Sequence, residues 1–72
     1  MDKRKRQLLK TAAKLYSVGQ RVDAARQRLK YLVSSGAPYE SKEMLAALEE
    51  FKKWDGEWKR LEKEYERLRQ EL

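Results

Sequence analysis

Two apolar rows with heptad spacing, one on each side of a Gly-Ala-Pro segment, constrain the fold of this 72-residue chain more than any other feature. Each row, here called a seam, alternates steps of three and four residues, which keeps its side chains on one face of an α-helix. The spacing therefore predicts an all-α chain with two helices. The first seam contains Leu8, Thr11, Leu15, Val18, Val22, Ala25, Leu29 and Leu32, and the second contains Met44, Ala47, Phe51, Trp54, Trp58, Leu61, Tyr65, Leu68 and Leu72.

Capping and helix-breaking residues indicate where the two helices begin and end. Asp2 is a suitable N-cap for the first helix, and Ser41 is a suitable N-cap for the second. Gly36 suits the left-handed position that follows a last helical turn, and Pro38 prevents the first helix from continuing. We predict a single helical-hairpin domain over residues 1–72, with helices at about 3–35 and 42–71 and a turn at 36–40.

The short connection predicts that the helices fold back on each other as an antiparallel hairpin of the coiled-coil type. A charge pattern agrees with this arrangement. Basic residues directly precede three seam positions of the first helix, and acidic residues directly precede three seam positions of the second. Centred on Tyr39, these residues would meet as opposite charges and help to fix the register. The predicted pairs are Lys14–Glu64, Arg21–Glu57 and Arg28–Glu50.

Apolar residues beside the seams, together with the large aromatic side chains within them, exceed what one partner helix can cover. Apolar surface of this extent is typical of an interface. We predict a homodimer in which two hairpins form a four-helix bundle with twofold symmetry. Another protein in the aromatic groove is the alternative occupant. The predicted interface residues are Leu9, Ala12, Tyr16, Leu45, Leu48, Phe51, Trp54, Trp58 and Tyr65.

The net charge of +6 is distributed unevenly. Residues 1–35 hold ten Lys and Arg against two Asp, a net charge of +8, whereas residues 36–72 hold eight against ten acids, a net charge of −2. A basic helix of this kind is compatible with binding to a polyanion, so a small nucleic-acid-associated protein is an alternative function. The candidate polyanion-binding residues are Lys3, Arg4, Lys5, Arg6, Lys10 and Lys14.

The residue types argue against enzymatic chemistry. The chain contains no Cys and no His, so the commonest metal ligands and the commonest general base are missing. Its carboxylates lie in a charged helical surface, where no pocket would shift their pKa values for catalysis. We predict no catalytic residues, no metal ligands and no cofactor. The predicted function is a non-enzymatic protein-interaction or regulatory module.

Hydropathy predicts a soluble protein. No apolar run approaches the roughly 18 residues of a membrane span, and the basic start is followed by an amphipathic pattern instead of the apolar stretch of a secretory signal. We therefore expect a cytoplasmic location and no membrane partner. A short, highly charged, cysteine-free helical chain is typical of bacterial or phage accessory proteins.

The stretch from Arg21 to Arg60, with its Ser-x-Glu-Met-Leu opening at Ser41, resembles the small hairpin phosphatases that act on aspartyl-phosphate in sporulation response regulators. That family carries Ser-Gln-Glu-Leu-Asp early in its second helix. Here Leu48 and Lys52 stand at the positions of the signature serine and the functional aspartate. The resemblance thus implies a shared architecture without the activity. A hairpin regulator of a phosphorylated signalling protein is a further alternative, with Glu49 as its only acidic candidate.

Overall fold

The computed structural model describes residues 2–71, and within this range the chain consists of two helices, α1 (Lys3–Ser34) and α2 (Lys42–Gln70). They run antiparallel and form a hairpin with extents of 51 × 14 × 14 Å. The predicted all-α hairpin is confirmed, and the predicted helix bounds agree to within one residue. Leu72, the last residue of the predicted second seam, lies outside the described residues. The four-helix bundle stays a prediction.

Both predicted N-caps are present. The carboxylate of Asp2 accepts a hydrogen bond from the backbone N–H of Arg4 at 3.3 Å, and the hydroxyl of Ser41 accepts one from the backbone N–H of Met44 at 3.2 Å. Each cap satisfies a backbone donor that the first turn of a helix leaves without an intrahelical partner. The start of each helix is therefore set by a local side chain.

The turn after α1 follows the pattern of a Schellman motif. Gly36 has a φ of 81°, in the left-handed region that glycine adopts without a steric penalty. The N–H of Ala37 donates to the carbonyl of Leu32 at 3.0 Å, and the N–H of Gly36 donates to the carbonyl of Val33 at 3.2 Å. These two bonds satisfy the last carbonyls of α1 and direct the chain towards α2.

The two seams pack against each other and form the core. Thr11, the single polar member of the first seam, is buried, and its hydroxyl donates to the carbonyl of Gln7 at 3.0 Å, so its polar atom has a partner. The other described members of the seams are half-buried or buried. The apolar members that are buried are Val22, Ala25, Met44, Ala47, Leu61 and Leu68.

The predicted charge register is confirmed at one of three positions. Arg28 donates from Nη1 to Oε2 of Glu50 at 3.3 Å across the hairpin. The predicted Arg21–Glu57 and Lys14–Glu64 pairs are wrong. Among the ion pairs within residues 2–71, Glu57 and Glu64 both pair with Arg60 of their own helix, one turn away.

Candidate interaction surface

Within residues 2–71, five large apolar side chains on the helices are exposed, and four of them share one flank of the hairpin, whereas Tyr31 lies on the other flank. Leu9 is 57% exposed, Tyr16 71%, Val33 66% and Leu45 50%. Each directly follows a seam residue in the sequence, which places it on the same side of its seam. The charged residues predicted to pair across the hairpin directly precede seam residues and so occupy the other flank. We call the apolar flank the open face: Leu9, Ala12, Tyr16, Gly19, Val33, Leu45 and Leu48.

The apolar residues of the open face form two clusters at opposite ends of the hairpin. The terminal cluster consists of Leu9, Ala12 and Tyr16 on α1. In the antiparallel register Val33 of α1 lies level with Leu45 and Leu48 of α2, and these three residues form the turn cluster. Ala12 and Leu48 are half-buried, whereas the other four side chains are exposed. About 20 helical residues separate the clusters, which corresponds to roughly 30 Å.

A shallow groove lies between the two clusters where α1 approaches α2 closely. A Cβ atom at Gly19 would lie 3.4 Å from Nε1 of Trp58, so the absence of a side chain at this position lets the indole pack against the backbone of α1. The groove has a volume of about 380 Å³. Its lining includes Tyr16, Gly19, Asp23, Arg26, Asp55 and Trp58.

Two ion pairs lie at this level of the hairpin. Oδ1 of Asp23 is 3.8 Å from Nη1 of Arg26, and Oδ2 of Asp55 is 3.1 Å from Nζ of Lys59. Both ion pairs join residues of the same helix. Sequence reasoning did not select Asp23, Arg26 or Asp55. The available signal was Gly19, an interior helical glycine where no turn requires one.

Of the five aromatic residues predicted to contact a partner, Tyr16 is exposed, and the four that belong to the seam of α2 are half-buried within the hairpin itself. The guanidinium of Arg21 lies 4.7 Å from the ring centroid of Trp54, and that of Arg26 lies 6.0 Å from the centroid of Phe51. Residues of α1 therefore cover part of the surface that was predicted to be free. Contact between a partner and Phe51, Trp54, Trp58 or Tyr65 stays a prediction.

The opposite flank is charged and pairs mainly within α2. Arg60 donates from Nη2 to Oε1 of Glu57 at 2.6 Å. This hydrogen bond lowers the pKa of Glu57 below its ordinary value, assisted by the positive charges of Arg60 and Lys14. The same hydrogen bond raises the pKa of Arg60. Arg60 thus pairs with Glu57, the residue that the sequence analysis paired with Arg21. The guanidinium of Arg21 lies over Trp54 instead.

All six predicted polyanion-binding residues are exposed. Nη1 of Arg4 donates to the backbone carbonyl of Glu71 at 3.3 Å, which holds the start of α1 beside the end of α2. The antiparallel fold therefore adds the basic residues at the end of α2 to those at the start of α1. The six predicted residues are Lys3, Arg4, Lys5, Arg6, Lys10 and Lys14.

Within residues 2–71, no group of three or more acidic side chains is arranged to hold a metal ion. No helix in that range is sufficiently long and apolar to cross a bilayer. Comparison of the chain with protein-family models, curated proteins and solved structures finds no match. The resemblance to hairpin phosphatases therefore has only the shared architecture behind it, and Glu49, its acidic candidate, is exposed on α2.

Proposed function

We propose that this chain is a non-enzymatic interaction module that self-associates through its open face, two hairpins together forming a four-helix bundle. The observation that carries this proposal is that four of the five exposed large apolar side chains on the helices, Leu9, Tyr16, Val33 and Leu45, share one flank. Scattered apolar residues are normal on a protein surface, but large ones that share a single flank are typical of an interface.

The small core of the hairpin supports a second layer of helices. Only six apolar residues of the described chain are buried, and the seam aromatics remain half-buried. Two helices can shield only one face of each other, so a hairpin of this length gains considerably when another helical layer covers it. A four-helix bundle provides that layer with the same kind of packing.

A second copy of this chain fits the open face because its two apolar clusters lie on either side of the Gly19 groove. A copy turned end for end, with its twofold axis near Gly19 and Asp23, would place each terminal cluster on the turn cluster of the other hairpin. Val33 of one hairpin would then lie near Leu9 and Ala12 of the other.

Light scattering over a concentration series, with two matched variants, tests the self-association. Tyr16 and Tyr31 are both 71% exposed on α1, but Tyr31 directly precedes Leu32 and so lies on the charged flank. We expect Tyr16→Lys to raise the dimer dissociation constant at least about tenfold, because it places a charge in the interface. Tyr31→Lys should leave it within about twofold, and the native dimer should persist at high salt because its contacts are apolar.

Two results would overturn the self-association proposal. A folded chain that stays monomeric at high micromolar concentration would mean that the open face accepts a different protein. Equal weakening by Tyr16→Lys and Tyr31→Lys would mean that added charge, and not the open face, controls association. Far-ultraviolet circular dichroism of both variants shows whether their helices remain intact.

Cross-linking of single-cysteine variants tests the end-for-end orientation, since the native chain contains no Cys. We expect Asp23→Cys to be linked across the dimer by a short bismaleimide, because it lies near the proposed axis. Tyr39→Cys, in the exposed turn, should not be linked, since the two turns would lie about 50 Å apart. The reverse result would show a dimer with both turns at one end. Adding Tyr16→Lys to Asp23→Cys should abolish the link.

A further inference from the structure

We propose that the basic end of the hairpin binds the phosphate backbone of duplex nucleic acid without reading its base sequence. The basic end is the part of the molecule where the start of α1 lies beside the end of α2, and it consists of residues 2–14 and 60–71. It holds ten Lys and Arg against five Asp and Glu, whereas residues 15–59 hold eight against seven. Nearly all of the net charge therefore lies at one end of a molecule 51 Å long.

The acidic residues of the basic end are largely paired within α2. Glu64 lies 3.9 Å from Arg60, Glu66 lies 3.8 Å from Arg69, and Glu71 lies 3.0 Å from Arg67. These pairs leave the lysines of α1 available for an external anion. Within residues 2–71, no ion pair involves Lys3, Lys5, Arg6, Lys10, Lys14 or Lys63.

Helix stability does not account for the basic start of α1. The first turn of a helix carries a partial positive charge and favours acidic side chains. In α1 the first turn contains no acidic residue, whereas α2 begins with Glu43 in its first turn. The cations at the start of α1 therefore act against the helix dipole, and an external anion would offset their mutual repulsion.

The arrangement of the cations suits a linear polyanion. Lys3, Arg6, Lys10 and Lys14 follow one another at steps of three, four and four residues, so they form a stripe along one side of α1. The stripe is about 16 Å long. Phosphates line a duplex at a high and regular charge density, so a stripe of this length can contact several of them.

Duplex nucleic acid suits this stripe better than a membrane or a single strand. An amphipathic helix that binds a bilayer inserts its apolar face, but α2 covers the apolar seam of α1. Proteins that bind single strands stack the bases on exposed aromatic rings. Tyr65, the aromatic residue within residues 2–14 and 60–71, is half-buried in the seam, and the exposed ring of Tyr16 beside these residues lies on the open face and not among the cations of the stripe. Contacts with the backbone alone imply binding that does not depend on sequence.

Fluorescence anisotropy with a labelled duplex of mixed sequence, measured over a series of KCl concentrations, tests the proposal with the full chain. Four phosphate contacts predict a logarithmic salt slope of about −4. We expect Lys10→Gln/Lys14→Gln to weaken binding at least about fivefold at low salt and to make the slope shallower by about 2. Lys42→Gln/Lys53→Gln, which removes the same charge from outside the basic end, should change affinity less than about twofold.

Several outcomes would overturn this inference. They are the absence of duplex binding at low salt, equal losses in the two double variants, tighter binding to a single strand of the same length, and binding to phosphatidylserine vesicles without binding to duplex. Circular dichroism confirms that each double variant keeps its helices. The inference does not depend on self-association, because a monomeric hairpin carries the same stripe. A failure of the self-association proposal would therefore not contradict the duplex-binding proposal, and the reverse also holds.

Discussion

Replacing Leu61 with Ala should lower the free energy of unfolding by about 2–5 kcal/mol. Leu61 is only 3% exposed and lies in the seam of α2, so the substitution removes buried apolar surface and leaves a cavity between the helices. A chain of this length has a total stability of about 4–10 kcal/mol. Urea denaturation followed by circular dichroism should therefore show a large decrease in the unfolding midpoint.

Leu45→Ala is the matched control for Leu61→Ala. Both positions are Leu in α2, but Leu45 is 50% exposed on the open face. In protein diluted below the dissociation constant of any dimer, Leu45→Ala should cost less than about 1 kcal/mol. At high concentration its cost should increase if the open face is an interface. Equal losses for the two variants in dilute protein would contradict the division between seam and open face.

Gly36→Val should destabilise the hairpin by about 1–3 kcal/mol. The φ of 81° at this position lies in the left-handed region, which a β-branched residue adopts only with strain. To relieve that strain the chain would have to give up the two hydrogen bonds that end α1, one from Ala37 to Leu32 and one from Gly36 to Val33. Thermal denaturation should show the loss as a lower midpoint temperature.

Two further glycine variants show whether Gly36→Val acts through the left-handed φ at that position or through the mere addition of a side chain. Gly36→Asn should stay close to the native stability, because Asn tolerates the left-handed region. Gly56→Ala should stabilise α2 by about 0.5–1 kcal/mol, since the new Cβ would meet no atom within 4 Å apart from its chain neighbours and the adjoining backbone of α2, and Ala favours the helix. If Gly36→Val left the midpoint temperature unchanged, the turn would not need its present conformation.

The two proposed surfaces can operate in the same molecule. The open face contains Leu9 and Tyr16, which directly follow seam residues, whereas Lys10 and Lys14 of the basic stripe lie on other sides of α1. Self-association through the open face would therefore leave the stripe exposed. In the end-for-end dimer, the two basic ends would lie at opposite ends of the assembly. Such a dimer could contact two separate stretches of duplex.

The features that depend on interactions between residues close in the sequence were predictable from the sequence alone. Asp2 and Ser41 cap their helices through hydrogen bonds that span two or three residues, and Gly36 ends α1 through its own backbone conformation. The seams were predictable because heptad spacing dictates which side chains share a helical face. Even Thr11 fits, since its hydroxyl bonds to a carbonyl one turn earlier in α1.

Local chemistry in the chain thus sets the two helices, their caps, the turn and the antiparallel pairing of the seams. The partners of individual charges depended on the tertiary arrangement. Arg60 reaches Glu57 one turn away in its own helix, and Arg21 lies over the Trp54 ring. For exposed charges, alternative pairings differ by less than about 1 kcal/mol, so small differences in helix separation and side-chain reach select among them. The groove at Gly19 has a similar origin, because it exists only where α2 brings Trp58 against α1.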